Sequence, residues 1–88
     1  MKNSMPFKQL ISEIAGWYGT VAILTAYILV SFNIIDGTTV AFQLLNLTGA
    51  LGVMAIAVYK HVKQSVVLNI FWAAVAIIAL INIFLSTL

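Results

Sequence analysis

The chain contains no cysteine, a single histidine and few charged residues. Without cysteine, disulfides, thiolate metal sites and thiol nucleophiles are excluded. One histidine cannot by itself supply the ligands of a structural zinc site or a haem pair. No nucleophile, general base and acid occur together within the apolar runs. We therefore expect no enzyme activity, no metal and no cofactor.

Charge is scarce in a chain that is mostly apolar. Only 7% of the 88 residues are charged, whereas 64% are hydrophobic. A soluble domain of this size has about a quarter of its residues charged. The composition therefore indicates that the lipid bilayer surrounds most of the chain. The net charge of +2 comes from lysines that flank apolar runs rather than forming a patch, so nucleic acid is not an expected partner.

Three apolar runs are each long enough to cross a bilayer, which takes about 20 helical residues. The predicted spans cover residues 16–35, 39–59 and 66–85, and they form one domain over residues 16–88. The fold class is therefore an all-α membrane protein with three transmembrane helices in a small bundle. Candidate N-caps are Thr38 or Thr39 for the second helix and Ser65 for the third.

Residues 1–15 are predicted to form a short amphipathic helix that lies in the interface and precedes the bundle. Ser4 is a candidate N-cap, and Pro6 fits the first turn because its missing donor is not needed there. Apolar side chains then recur at helical spacing opposite polar ones, which is typical of an interfacial helix. The alternative is that this segment extends the first span.

The lysines lie on one side of the predicted membrane. Lys2 and Lys8 precede the first span, and Lys60 and Lys63 separate the second from the third. The positive-inside rule then places the N-terminus in the cytoplasm and the C-terminus outside.

Small and amide residues in the second span organise the predicted bundle. In hydrocarbon an unpartnered amide is costly, and glycine is useful where another backbone approaches closely. This face of the second helix should therefore meet protein rather than lipid. Across the three spans, the residues predicted to pack the helices together are Gly19, Ala22, Ala26, Thr48, Gly49, Gly52, Ala73 and Ala76.

Carboxamides at two depths are candidates for a polar pathway. A rise of about 1.5 Å per residue places four of them in the outer third of the membrane and one, near a tryptophan, in the inner third. The alternative is that the amides only form hydrogen bonds between helices. Three helices in contact leave no room for a cavity, so a pathway needs at least two copies, most simply a homodimer. The candidate pathway residues are Asn69, Trp72, Asn46, Gln43, Asn33 and Asn82.

Three stretches resemble a family of uncharacterised small three-span bacterial membrane proteins. The stretches are Gly16-Trp17-Tyr18-Gly19, Gln43-Leu44-Leu45-Asn46-Leu47-Thr48-Gly49-Ala50-Leu51-Gly52 and Ser65-Val66-Val67-Leu68-Asn69-Ile70-Phe71-Trp72-Ala73. The resemblance covers nearly the whole chain from Gly16 to Leu80. It implies a bacterial membrane and three helices, and it brings no mechanism. We expect the membrane to be the inner one.

A looser similarity is to the half-size transporters of the PQ-loop group, the SemiSWEET type. Those are three-helix bundles that dimerise and pass a sugar between the halves. The similarity implies a pocket role for Asn69 and a possible one for Trp72. The chain departs from that pattern in two places. Residues 31–35 contain no proline–glutamine pair, and the first loop carries Asp36 rather than a basic cluster.

The expected function is a homodimeric, half-transporter-like facilitator of a small neutral polar solute. Glu13 and His61 share the inner side and either form a proton relay or are simply solvated at the interface. No charged residue lies at mid-membrane depth, which favours passive transport. The alternative function is an accessory or structural subunit that docks a larger membrane protein through the glycine and asparagine face of the second helix.

Overall fold

The computed structural model describes residues 6–88, and these residues form three helices joined by two short connections. The helices are α1 (Phe7–Ser31), α2 (Val40–Tyr59) and α3 (Lys63–Ser86). All three are long and apolar enough to cross a membrane, and an 18-residue stretch in each has a mean hydropathy of 1.6, 1.8 and 2.5, respectively. The prediction of an all-α fold with three spans is confirmed. The predicted cap at Ser4, and Lys2, lie outside the described residues.

Helix α1 is continuous across the boundary that the sequence places at residue 15. Pro6 occupies the N-cap position rather than the first turn, and no side chain caps the helix. No proline follows Pro6 in α1, and Gly16 is buried against α2. Nothing therefore turns the backbone near residue 15. Residues 7–15 are therefore the first turns of α1 rather than a separate helix. At 1.5 Å per residue α1 is about 37 Å long, more than the hydrocarbon layer requires.

Helix α1 ends at Ser31, before the predicted limit of the first span at residue 35. Asn33 follows in the left-handed region, with φ of 60°. Its N–H donates to the carbonyl of Val30 at 3.0 Å, and the N–H of Ile34 donates to the carbonyl of Leu29 at 2.8 Å. This pair of hydrogen bonds is the Schellman motif, in which glycine or asparagine is favoured at the left-handed position. Asn33 therefore terminates a helix.

The ends of the other helices are set by equally local contacts. His61 takes the same left-handed position after α2, with φ of 59°. Thr39 accepts a hydrogen bond from the N–H of Phe42 at 3.2 Å and so caps α2, as predicted. Helix α3 begins two residues before Ser65, which therefore lies inside the helix and does not cap it.

We expect Asn33→Val to lower the free energy of unfolding by about 1–2 kcal/mol, because a Cβ-branched residue resists the left-handed region. Asn33→Gly is the matched control and should leave stability unchanged or raise it. Unfolding in mixed detergent micelles, followed by circular dichroism, gives both values. Equal stability of the two variants would show that the turn does not depend on this position.

Helix α2 is the central helix. It packs against both α1 and α3, whereas within residues 6–88 no Cα atom of α1 lies within 8 Å of one of α3. The buried residues are small or amide, and no large side chain of the described residues is fully buried. Helices α1 and α3 therefore flank α2, and the side between them is open. The buried positions are Gly16, Gly19, Ala22 and Ala26 in α1, Asn46, Gly49, Ala50, Gly52 and Ala57 in α2, and Asn69, Ala73 and Ala76 in α3.

Candidate functional site

Helices α1 and α2 meet through a glycine seam made of Gly19, Gly49 and Gly52. A Cβ placed on Gly19 would overlap the carbonyl oxygen of Gly49 and lie 2.7 Å from the backbone nitrogen of Val53. A Cβ on Gly52 would overlap the carbonyl oxygen of Ala15 and lie 3.2 Å from the Cα of Gly19. The two backbones are therefore in direct contact, and lipid is excluded from this face of α2.

A side-chain hydrogen bond also joins α1 to α2. The hydroxyl oxygens of Tyr18 and Thr48 are 2.7 Å apart. Thr48 donates its own hydrogen to the carbonyl of Leu44 at 2.8 Å, so Tyr18 is the donor between the helices. Thr48 is exposed, and it joins the helices through its hydroxyl group rather than through the close packing predicted for it.

Asn69 is buried between α3 and α2, with 6% of its surface exposed. Its amide nitrogen donates to the carbonyl of Ser65 at 2.8 Å and lies 3.3 Å from the hydroxyl oxygen of the same residue. The amide nitrogen is thus engaged within its own helix. Trp72 opens into a cleft that Asn69 does not line, so the structure does not bring this predicted pair into one pocket.

The amide cleft, between α2 and α3, brings Trp72 together with two amides of α2. It has a volume of about 290 Å³ and is lined by Phe42, Gln43, Asn46, Phe71, Trp72, Val75 and Ala76. Gln43 donates from its amide nitrogen to the carbonyl of Gly37 at 2.8 Å. Asn46 is 9% exposed. Its carboxamide makes no hydrogen bond with any described residue, and its polar atoms keep some accessible surface. The cleft therefore has one unsatisfied amide in a mostly apolar wall.

The remaining predicted pathway amides lie outside the amide cleft. Asn33 is in the connection after α1, and Asn82 is exposed on α3. Asn82 lies seven residues beyond Val75, which places it on the same face of α3 about two turns from the cleft wall. The four outer amides therefore do not converge.

Sequence reasoning predicted Trp72 but missed the two phenylalanines of the cleft, Phe42 and Phe71. A signal for Phe42 was available, because it precedes Asn46 by four residues and so shares its helix face. The prediction of Trp72 did not point to the adjacent Phe71, because consecutive helical residues are 100° apart and do not share a helix face. Its place in the cleft depends on how α3 is rotated against α2, which local spacing does not determine.

Charged groups lie near the helix ends. The amine of Lys60 and a carboxylate oxygen of Glu13 are 3.1 Å apart, which ties the start of α1 to the end of α2. Glu13 is thus paired with Lys60 rather than with His61, the other member of the predicted relay. Both side chains are partly exposed, so the pair contributes at most about 1 kcal/mol to stability. Among the described residues no cluster of three potential metal ligands occurs.

Three apolar helices of membrane length, packed through glycine and alanine, define a multi-pass membrane protein. A protein-family model matches residues 12–87, and the chain belongs to that family. No curated protein and no solved structure gives a significant match. The match covers the three spans and agrees with a small three-span family, and no similarity to the PQ-loop transporters is found.

Proposed function

We propose that two copies of this chain form a passive facilitator for a small neutral polar solute in a bacterial inner membrane. The observation that supports this most is Asn46, a nearly buried carboxamide that has no hydrogen-bond partner among the described residues and opens into the amide cleft. Lipid acyl chains offer such an amide no hydrogen bond, so leaving it without a polar partner in the membrane is costly. A polar solute supplies both a donor and an acceptor to such a group, and Trp72 supplies an apolar wall beside it.

The shape of the cleft favours two copies over one. Within residues 6–88, α1 and α3 are not in contact. A single copy therefore forms only one wall of a pathway, and the side of the bundle between α1 and α3 is open. A twofold axis along this open side would set two amide clefts against each other and place one Asn46 in each wall. The buried glycines and alanines already pack the helices of one chain against each other, so two copies would contact each other through other side chains.

The chemistry of the cleft favours a neutral solute and passive movement. None of its seven lining residues is ionisable. Glu13, in the first turns of α1, is paired with Lys60 near the helix ends. Since none of these side chains binds or releases a proton, the cleft has no group that could couple solute movement to a proton gradient. With the N-terminus in the cytoplasm, the ion pair, Lys8 and Lys63 lie on the inner side.

The competing function is an accessory subunit that docks a larger membrane protein. The glycine side of α2 cannot serve that purpose, because α1 already covers it. A partner would have to occupy the amide cleft instead and satisfy Asn46 with its own polar group.

Reconstitution separates the two functions. Purified protein in liposomes should accelerate osmotic swelling in glycerol or urea, measured by stopped-flow light scattering, over protein-free liposomes and over liposomes with an unrelated three-span protein. Photobleaching of single labelled complexes in the same liposomes should show two copies. A monomer without flux would contradict the facilitator and favour the accessory role.

A further inference from the structure

A second groove lies at the α2–α3 connection, away from the amide cleft. It has a volume of about 390 Å³ and is lined by Val58, His61, Lys63, Val66 and Val67. We call it the basic groove. Its apolar wall is exposed, since Val58 is 54% and Val67 67% accessible. A second hollow, of about 500 Å³, shares Lys63 and Val67 with the groove and continues it along α3 towards Leu68.

The charge of this groove is not neutralised by an ion pair within the part of the chain that the structure describes. Lys60 is paired with Glu13, whereas Lys63 forms no ion pair within residues 6–88. Lys63 is in the first turn of α3, and Val66 and Val67 follow at three and four residues, so the three share one helix face. A cationic group therefore stands at one end of an apolar wall.

The backbone at the mouth of the groove is fixed and adds to the positive potential. His61 is held in the left-handed region, and the N–H groups of His61 and Val62 donate to carbonyls of α2 at 3.2 and 2.9 Å. Val62, the N-cap of α3, offers no side-chain acceptor to the first turn. The unpaired N–H groups of a helix start carry partial positive charge.

We propose that the basic groove binds one anionic glycerophospholipid. The phosphate lies against Lys63 and His61, and an acyl chain covers the valines. Lipid is the occupant that fits, because the chain spans a membrane and the groove pairs a positive mouth with an apolar wall. A free phosphate would leave that wall bare. The proposal does not depend on the facilitator function.

Native mass spectrometry of the detergent-solubilised protein tests this proposal with phosphatidylglycerol and phosphatidylcholine of the same acyl chains. The anionic lipid should bind more tightly. Lys63→Gln should weaken its binding about fivefold, the effect of one lysine near a membrane surface. Lys8→Gln is the matched control, with the same loss of charge at an exposed position of α1, and should bind as the wild type does. Lys63→Arg keeps the charge and should retain binding.

Two further arms complete the test. Val67→Asn should weaken binding without a change of charge, because it interrupts the apolar wall. Soluble glycerol phosphate should not displace the lipid. Equal losses in Lys63→Gln and Lys8→Gln would reveal diffuse attraction and overturn the site. So would equal affinity for the two lipids, binding unchanged in Val67→Asn, or displacement by glycerol phosphate. Helicity by circular dichroism shows that each variant is folded.

Discussion

Gly19→Ala is expected to lower the free energy of unfolding by about 1–3 kcal/mol, the usual cost of overpacking a tight contact. The added methyl group would overlap the carbonyl oxygen of Gly49 and press on the nitrogen of Val53. Both are backbone atoms of α2, so a side-chain rotation cannot relieve the contact and α1 must move away. Unfolding in mixed micelles, followed by circular dichroism, measures the loss.

Two other glycines provide graded controls for Gly19→Ala. At Gly16 the new methyl group would lie 2.6 Å from the Cγ2 atom of Ile56, a side-chain contact that rotation can partly relieve, so the loss should be smaller. At Gly37, in the first connection, the nearest atom is 3.8 Å away on the ring of Phe42, so Gly37→Ala should be close to neutral. Equal stability of all three variants would mean that α1 and α2 are not in backbone contact.

Asn46→Leu is expected to reduce solute flux through liposomes about tenfold or more, equivalent to about 1.4 kcal/mol of lost stabilisation. Leucine has a similar volume but neither donor nor acceptor, so the amide cleft would become apolar throughout. Stability should not fall, because Asn46 makes no hydrogen bond to the described residues whose loss would cost energy. The flux loss would therefore be separable from misfolding.

Asn82→Leu is the matched control for Asn46→Leu, since it makes the same change at an exposed position of α3 outside the cleft. It should conduct as the wild type does. Asn69→Leu tests the role implied by the PQ-loop similarity. Its amide is bonded within α3 and does not line the cleft, so flux should change little. Wild-type flux in Asn46→Leu, or equal losses in Asn46→Leu and Asn82→Leu, would contradict the assigned site.

The sequence predicted what depends on composition and on local chemistry. Apolar runs determine the number of spans, and Thr39 could be identified as a cap because a hydroxyl before an apolar run accepts from the helix start. The continuity of α1 was harder to foresee. Its amphipathic first turns are typical of an interfacial helix, but no residue there interrupts the backbone.

The candidate site was predictable only in part. Counting 1.5 Å per residue gives the height of each amide but not the direction in which it faces. The count placed Asn33 and Asn82 together in the outer third of the membrane. In the structure Asn33 lies in a turn, and Asn82 lies on an exposed face of α3. Facing directions follow from which small residues pack together. On α2 the glycines contact α1 while Asn46 opens towards α3, a division that the order of small residues does not reveal.

The central claim is that α2 lies between α1 and α3, with α1 covering its glycine side. Because the chain has no cysteine, pairs of introduced cysteines test this directly with a short bifunctional thiol reagent in the membrane. Tyr18→Cys with Thr48→Cys, whose native side chains touch, should cross-link within one chain, whereas Tyr18→Cys with Phe71→Cys should not. A cross-link within one chain from α1 to α3, with none from α1 to α2, would contradict the arrangement.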